Sequence, residues 1–94
     1  MAYLLVRHKV KDYNIWKKAF YDHLSEEKPN GSQGGYIFRN KDDRNEVFVL
    51  MRWDSHSNFK KFSESKSSMD AKNKGGLVGD PQGWLFEEFE IIDK

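Results

Sequence analysis

Apolar side chains fall on both faces of residues 3–10 (YLLVRHKV) with the alternation of a β-strand. Leu4, Val6, His8 and Val10 share one face, and Tyr3, Leu5, Arg7 and Lys9 the other. Each face is partly apolar, so each is expected to be covered. The period then changes. After Asp12, a residue type suited to a helix N-cap, Tyr13, Trp16, Phe20 and Leu24 recur at helical spacing, with Ala19 and His23 alongside. Lys17, Lys18 and Asp22 mark the opposite side of that helix. Pro29, Asn30 and Gly31 end it, because proline cannot continue a helix and glycine tolerates a left-handed turn.

SQGG leads into a second strand over residues 35–40 (GYIFRN). A polar turn over residues 41–45 (KDDRN) joins it to a third, Glu46–Trp53 (EVFVLMRW), which is a hairpin pattern. Asp54 or Ser55 caps a second helix whose apolar side is Phe59 and Phe62, extended towards Met69. The weakly hydrophobic SESKSSMDAKNK stretch predicts that this helix is short or split. GGLVGDPQG is read as a loop, since four glycines and a proline do not fit a regular element. Residues 84–92 (WLFEEFEII) are read as the last strand.

The order is β-α-β-β-α-β. Right-handed crossovers and non-crossing connections favour an α+β, ferredoxin-like arrangement: a four-stranded antiparallel sheet with both helices on one face. Such a sheet leaves its second face bare, with Tyr3 and Leu5 upon it. A patch of that kind calls for a partner, and a homodimer joining two sheet faces would cover it.

Composition narrows the function classes. The 94 residues are expected to form a single domain, and 15% of them are aromatic. There is no cysteine, which excludes disulfides, thiolate metal sites and a thiol nucleophile. A net charge of +1 without a basic block argues against nucleic acid as a partner. No apolar run approaches the ~20 residues of a membrane helix, and the N-terminus lacks a signal-peptide pattern, so a cytoplasmic protein is expected.

LVRHKVKDYNIWKKAF, IFRNKDDRNEVFVLMRWDS and GLVGDP before an aromatic strand together resemble the antibiotic-biosynthesis-monooxygenase-like family of dimeric α/β barrels. The most specific parts are RHKV followed by Asp12, Trp16 and Phe20, and the FRN-x-DD-x-NEV hairpin ending at Trp53 and Asp54. The resemblance spans almost the whole chain. It implies a homodimer with a cleft between sheet and helices in each subunit. It also implies cofactor-free oxidation of an aromatic or quinol-like metabolite. Haem-degrading members carry an asparagine, a tryptophan and a histidine where this chain has His8, Phe62 and Lys72, so haem chemistry is disfavoured.

Five further positions join His8 as candidates for the site. His8 sits on the expected helix-covered face. It is either a general base, with an imidazole's ordinary pKa of ~6.5, or a buried structural histidine. Arg39 is either a carboxylate or oxyanion anchor, through its paired donors, or one half of a surface or interface ion pair. Trp16, Phe20, Trp53 and Phe62 either wall an aromatic slot or pack a plain core. A non-catalytic dimer that binds a small apolar or aromatic ligand fits the same residues. GGLVGDP is a lid or a simple connection. Three scattered histidines have no metal-ligand spacing, and Glu87 and Glu88 would face opposite sides of a strand.

Overall fold

A computed structural model describes residues 1–64 and 76–92. The chain runs β1 (Ala2–Lys9), α1 (Tyr13–Glu27), a 3-10 turn (Lys28–Asn30), β2 (Ser32–Arg39), β3 (Glu46–Trp53), α2 (His56–Ser63) and β4 (Gln82–Phe86). The sheet order is β2-β3-β1-β4, with every neighbouring pair antiparallel. This is the expected ferredoxin-like α+β architecture.

Local chemistry accounts for the element ends. The Asp12 carboxylate accepts from the amides of Asn14 at 2.9 Å and Ile15 at 3.2 Å, satisfying two donors that the first turn of α1 leaves open. Ser55, one of the two expected caps, accepts from the Asn58 amide and starts α2. Gly31, at φ +123°, takes the backbone out of the 3-10 turn into β2, and its carbonyl accepts from the Asp54 amide at 2.9 Å.

The even side of β1 and the odd side of β3 make the core. Ala2, Leu4, Val10, Val47, Val49, Met51, Trp53 and Trp16 are its buried apolar residues. Tyr13 and Phe20 of α1 and Phe59 and Phe62 of α2 pack on it. Trp53 is wholly buried, with the rings of Phe59 and Phe62 at 5.5 and 5.6 Å.

Among the described residues no helix covers the opposite sheet face. Register sets Tyr36, Leu50, Leu5 and Trp84 in one row across all four strands. Phe38 stands beside Phe48, and Phe86 beside Tyr3, in the flanking rows. Tyr36 is 64% exposed, and Phe38, Trp84 and Phe86 are about half exposed. At one end of this face Arg7 pairs with Glu46 at 2.5 Å, and Lys9 with Asp43; at the other end Arg52 stands opposite Tyr3.

Three boundaries differ from the sequence expectation. β2 begins at Ser32 rather than 35, with a register shift between Ser32 and Gly35. Gly34 adopts φ +87° there, so the glycines form a bulge within an edge strand. Gln82 and Gly83, expected in a loop, open β4 by pairing with Arg7 and Val6. β4 stops at Phe86 rather than 92, because its ladder runs out at Tyr3, one residue short of the start of β1. Met69, Lys72 and Gly75 lie outside the described residues.

Candidate functional site

β2 is an edge strand, and α1 packs over the sheet beside it. Between the two lies a cleft of about 380 Å³, within the range of small-molecule sites. Its helical wall is Tyr13, Lys17, Phe20, Tyr21 and Leu24, one stripe of α1 at spacings of three, four and seven residues. Ile37 of β2 and Val49 and Met51 of β3 form the apolar floor. Ser32, Gly34, Gly35 and Tyr36 form the outer rim.

The glycines shape this rim. A Cβ on Gly35 would sit inside contact of the Leu50 carbonyl oxygen, 2.9 Å from the Leu50 carbonyl carbon and 3.0 Å from the Met51 Cα. Only a residue without a side chain lets β2 come so close to β3 at this point. The Arg52 guanidinium donates to the Gln33 carbonyl at 2.8 Å and ties the bulge to β3 from the side. The cleft therefore has bare backbone along one edge and rings along the other.

The candidate residues divide into two groups. At one end of the sheet, Arg39, Val47 and His8 form a single row on the helix-covered face. His8 and Arg39 are thus two strands apart, about 10 Å by ordinary strand spacing. The half-buried His8 ring lies 5.8 Å from Trp16, and Trp16 stacks on Phe20 at 5.2 Å and 21°. Of these, Phe20 lines the cleft, whereas Trp16 and His8 do not. The Arg39 guanidinium lies 3.7 Å from the centre of the Tyr13 ring, and its Nε donates to the Arg44 carbonyl at 2.9 Å. It braces the cleft-lining tyrosine and is not itself a cleft wall.

The second group is at α2. Trp53 and Phe62 pack with Phe59, and Phe62 also meets the His23 ring at 5.0 Å. Neither Trp53 nor Phe62 lines the cleft beside β2. His23 has Glu26 at 3.3 Å, and His56 opens α2. Among the described residues no group of three His, Asp or Glu side chains is placed to hold a metal.

Two carboxylates are shifted, both away from the cleft. The Asn40 amide and the Arg7 guanidinium hold Glu46 below the usual carboxylate range. The Lys9 ammonium and the Asn45 amide do the same to Asp43. These groups brace the β2–β3 turn and the charged end of the open face.

Sequence reasoning passed over Lys17, Tyr21, Gly34 and Gly35. The pattern puts Lys17 on the outer side of α1, Gly34 in the lead-in to β2, and Gly35 only at the start of that strand. A signal was present: Tyr13, Lys17, Tyr21 and Leu24 form a second stripe, one column round the helix from the core stripe of Tyr13, Trp16 and Phe20.

No family profile and no curated protein sequence matches the chain. Solved structures do. SnoaB from Streptomyces nogalater, a cofactor-independent oxygenase, superimposes with a TM-score of 0.81 at 14% identity, over 99% of this chain and 97% of its own. A Caulobacter crescentus protein assigned to the antibiotic biosynthesis monooxygenases gives 0.78 at 19% identity, over 95% and 90%. A Bordetella bronchiseptica protein with the same assignment gives 0.79 at 10%, over 95% and 97%. The chain has the antibiotic biosynthesis monooxygenase fold. The resemblance drawn from the RHKV strand and the FRN hairpin thus holds for the architecture. At these identities the monooxygenase fold passes no residue roles to this chain. No helix among the described residues is long and apolar enough to cross a membrane.

Proposed function

We propose that the protein is a homodimeric, cofactor-free oxygenase acting on an aromatic or quinol-like metabolite held in the cleft between α1 and β2. The observation that carries this reading is the cleft itself: about 380 Å³, ring-walled by Tyr13, Phe20 and Tyr21, and floored by Ile37, Val49 and Met51. The shared fold with a cofactor-independent oxygenase supports it. Planar rings lie well against such walls, because offset and edge contacts between aromatics add to simple burial.

In this reading a phenol or enol loses its proton, and the resulting anion gives electrons to dioxygen. A carbon–oxygen bond forms, and loss of water leaves a quinone. His8 is the proposed base. Because the Trp16–Phe20 pair stands between His8 and the cleft, this is the first role to test. The test is oxygen uptake with a panel of hydroquinones and phenols, comparing wild type with His8→Ala. Lost uptake with retained binding supports His8 as base. Uptake that survives His8→Ala moves the proton transfer to a group in the cleft. Binding without uptake by wild type favours the second reading, a small-molecule binding dimer, which the same cleft supports.

The homodimer is proposed to form through the open sheet face. The four-strand row of Tyr36, Leu50, Leu5 and Trp84 gives a second copy a continuous apolar strip to meet. The cleft is on the helix-covered side, so dimerisation would leave it accessible.

A further inference from the structure

We infer that the cleft selects a ligand bearing a negatively charged oxygen, and that Lys17 is the residue that selects it. The inference rests on the cleft being the ligand site, and it adds the charge of the ligand and the group that reads it.

Lys17 is the charged residue among the described residues that line the cleft; its other walls are aromatic, aliphatic, glycine and serine. Among the described residues that line the cleft there is no carboxylate to neutralise it. The helix neighbours three and four residues away are Tyr13, Asn14, Phe20 and Tyr21, none of them acidic. Lys17 also takes part in none of the ion pairs formed among the described residues. Its Nζ instead lies 5.9 Å from the centre of the Tyr21 ring, and Tyr21 is itself a cleft wall. The ammonium thus lies near a cleft-lining ring, at the outer limit of a cation–π contact, and its hydrogen-bond donors stay available.

An ammonium on a four-carbon stem recognises a point charge. The walls beneath it recognise a flat apolar body. The two requirements meet in one ligand class: an aromatic acid, or an aromatic phenol or enol in its anionic form. The ring would enter between Phe20 and the Ile37–Met51 floor, and the anionic oxygen would remain at the mouth near Lys17 and Tyr21. If the oxygenation proposed above takes place here, the same ammonium would favour the ionised substrate, the form that reacts with dioxygen.

The test compares two ligands of nearly equal shape, 2-naphthoate and the neutral 2-naphthamide, by titration calorimetry at low salt. The amide resonances of Gly34 and Gly35 report whether the cleft is where they bind. Wild type is expected to prefer naphthoate about tenfold, equivalent to ~1.4 kcal/mol. Lys17→Met keeps the apolar stem and good helix propensity, and is expected to abolish the preference, read as the ratio of the two affinities within the same variant. Lys17→Arg is expected to retain most of it, and added salt to weaken it. Equal affinity for both ligands in wild type, or an undiminished preference in Lys17→Met, overturns the inference while leaving the cleft as the site. Binding of neither ligand at the Gly34–Gly35 edge removes the cleft reading and this inference with it.

Discussion

The closest backbone approach at the cleft predicts a large effect from a single methyl group. In Gly35→Ala the new Cβ would press on the Leu50 carbonyl oxygen, and lie 2.9 Å from the Leu50 carbonyl carbon and 3.0 Å from the Met51 Cα, where ordinary contact begins at 3.4 Å. All three neighbours are backbone atoms of β3, so no side chain can swing away. The edge strand itself must shift. Overpacking of this kind costs typically ~1–3 kcal/mol. The gain from a stiffer unfolded chain, about 0.4–1 kcal/mol for glycine to alanine, offsets only part of it. A net loss near the upper end, about 2 kcal/mol, would lower the melting temperature by roughly 8–16 °C in a domain this small. Thermal unfolding at fixed protein concentration measures it. Gly34 is the internal control. A Cβ there meets nothing nearer than an Arg52 side-chain nitrogen at 3.9 Å, but the backbone has φ +87°. Gly34→Asn is therefore expected to recover stability relative to Gly34→Ala, because asparagine tolerates positive φ. Gly35→Asn is expected to be as damaging as Gly35→Ala. Because β2 carries one edge of the cleft, Gly35→Ala is also expected to weaken naphthamide binding. A Gly35→Ala protein within about 0.5 kcal/mol of wild type, the range of an inconsequential surface change, would refute the close approach of β2 to β3.

Two other predictions concern the open face and its charged end. Leu50 lies inside the four-strand apolar row, so Leu50→Asp should leave the fold intact by circular dichroism and convert a sedimenting species of about twice 11.1 kDa to monomer. A wild-type monomer at micromolar concentration would contradict the dimer. Glu46 has a lowered folded-state pKa, so the unfolded chain binds the proton more readily. Its contribution to stability is fully present above an ordinary carboxylate value of about 4.3 and is lost as pH falls through the lower folded value. Urea midpoints measured from about pH 6 down to 3 should fall less steeply in Glu46→Gln than in wild type; identical acid limbs would show that the Arg7 and Asn40 contacts contribute nothing.

The parts of the fold that follow from one element's own side chains were legible in the sequence. Asp12 caps α1, the Tyr13–Trp16–Phe20 stripe faces the core, and the alternation in Glu46–Trp53 places Val47, Val49, Met51 and Trp53 inward. The sheet order followed from chirality and connection rules. What depended on a partner strand was harder to read. Residues 87–92 continue an apolar pattern, but the ladder on β1 ends at the Tyr3–Phe86 pair, and Phe89 meets β1 through the Tyr3 ring at 5.1 Å instead. Gly34 reads as loop and Gly35 as no more than a strand start, because a glycine serves a bulge or a close approach through what it lacks. The candidate site was legible as a set of rings, though not in its grouping. Phe20 reached the cleft, while Trp53 and Phe62 went to the α2 side and Arg39 went to the Tyr13 ring. Lys17 is not legible as a site residue because apolar periodicity divides a helix only into core and solvent faces, whereas the cleft opens along the column between them.

The most direct test of the proposed function is oxygen uptake by the purified, chelator-treated protein supplied with a hydroquinone or phenol panel and no added cofactor. The proposal predicts saturable uptake by wild type that falls sharply in Phe20→Ala, where a cleft wall is removed. No uptake above the uncatalysed rate for any substrate, in a protein that still binds naphthamide at the Gly34–Gly35 edge, would contradict catalysis and leave a binding protein.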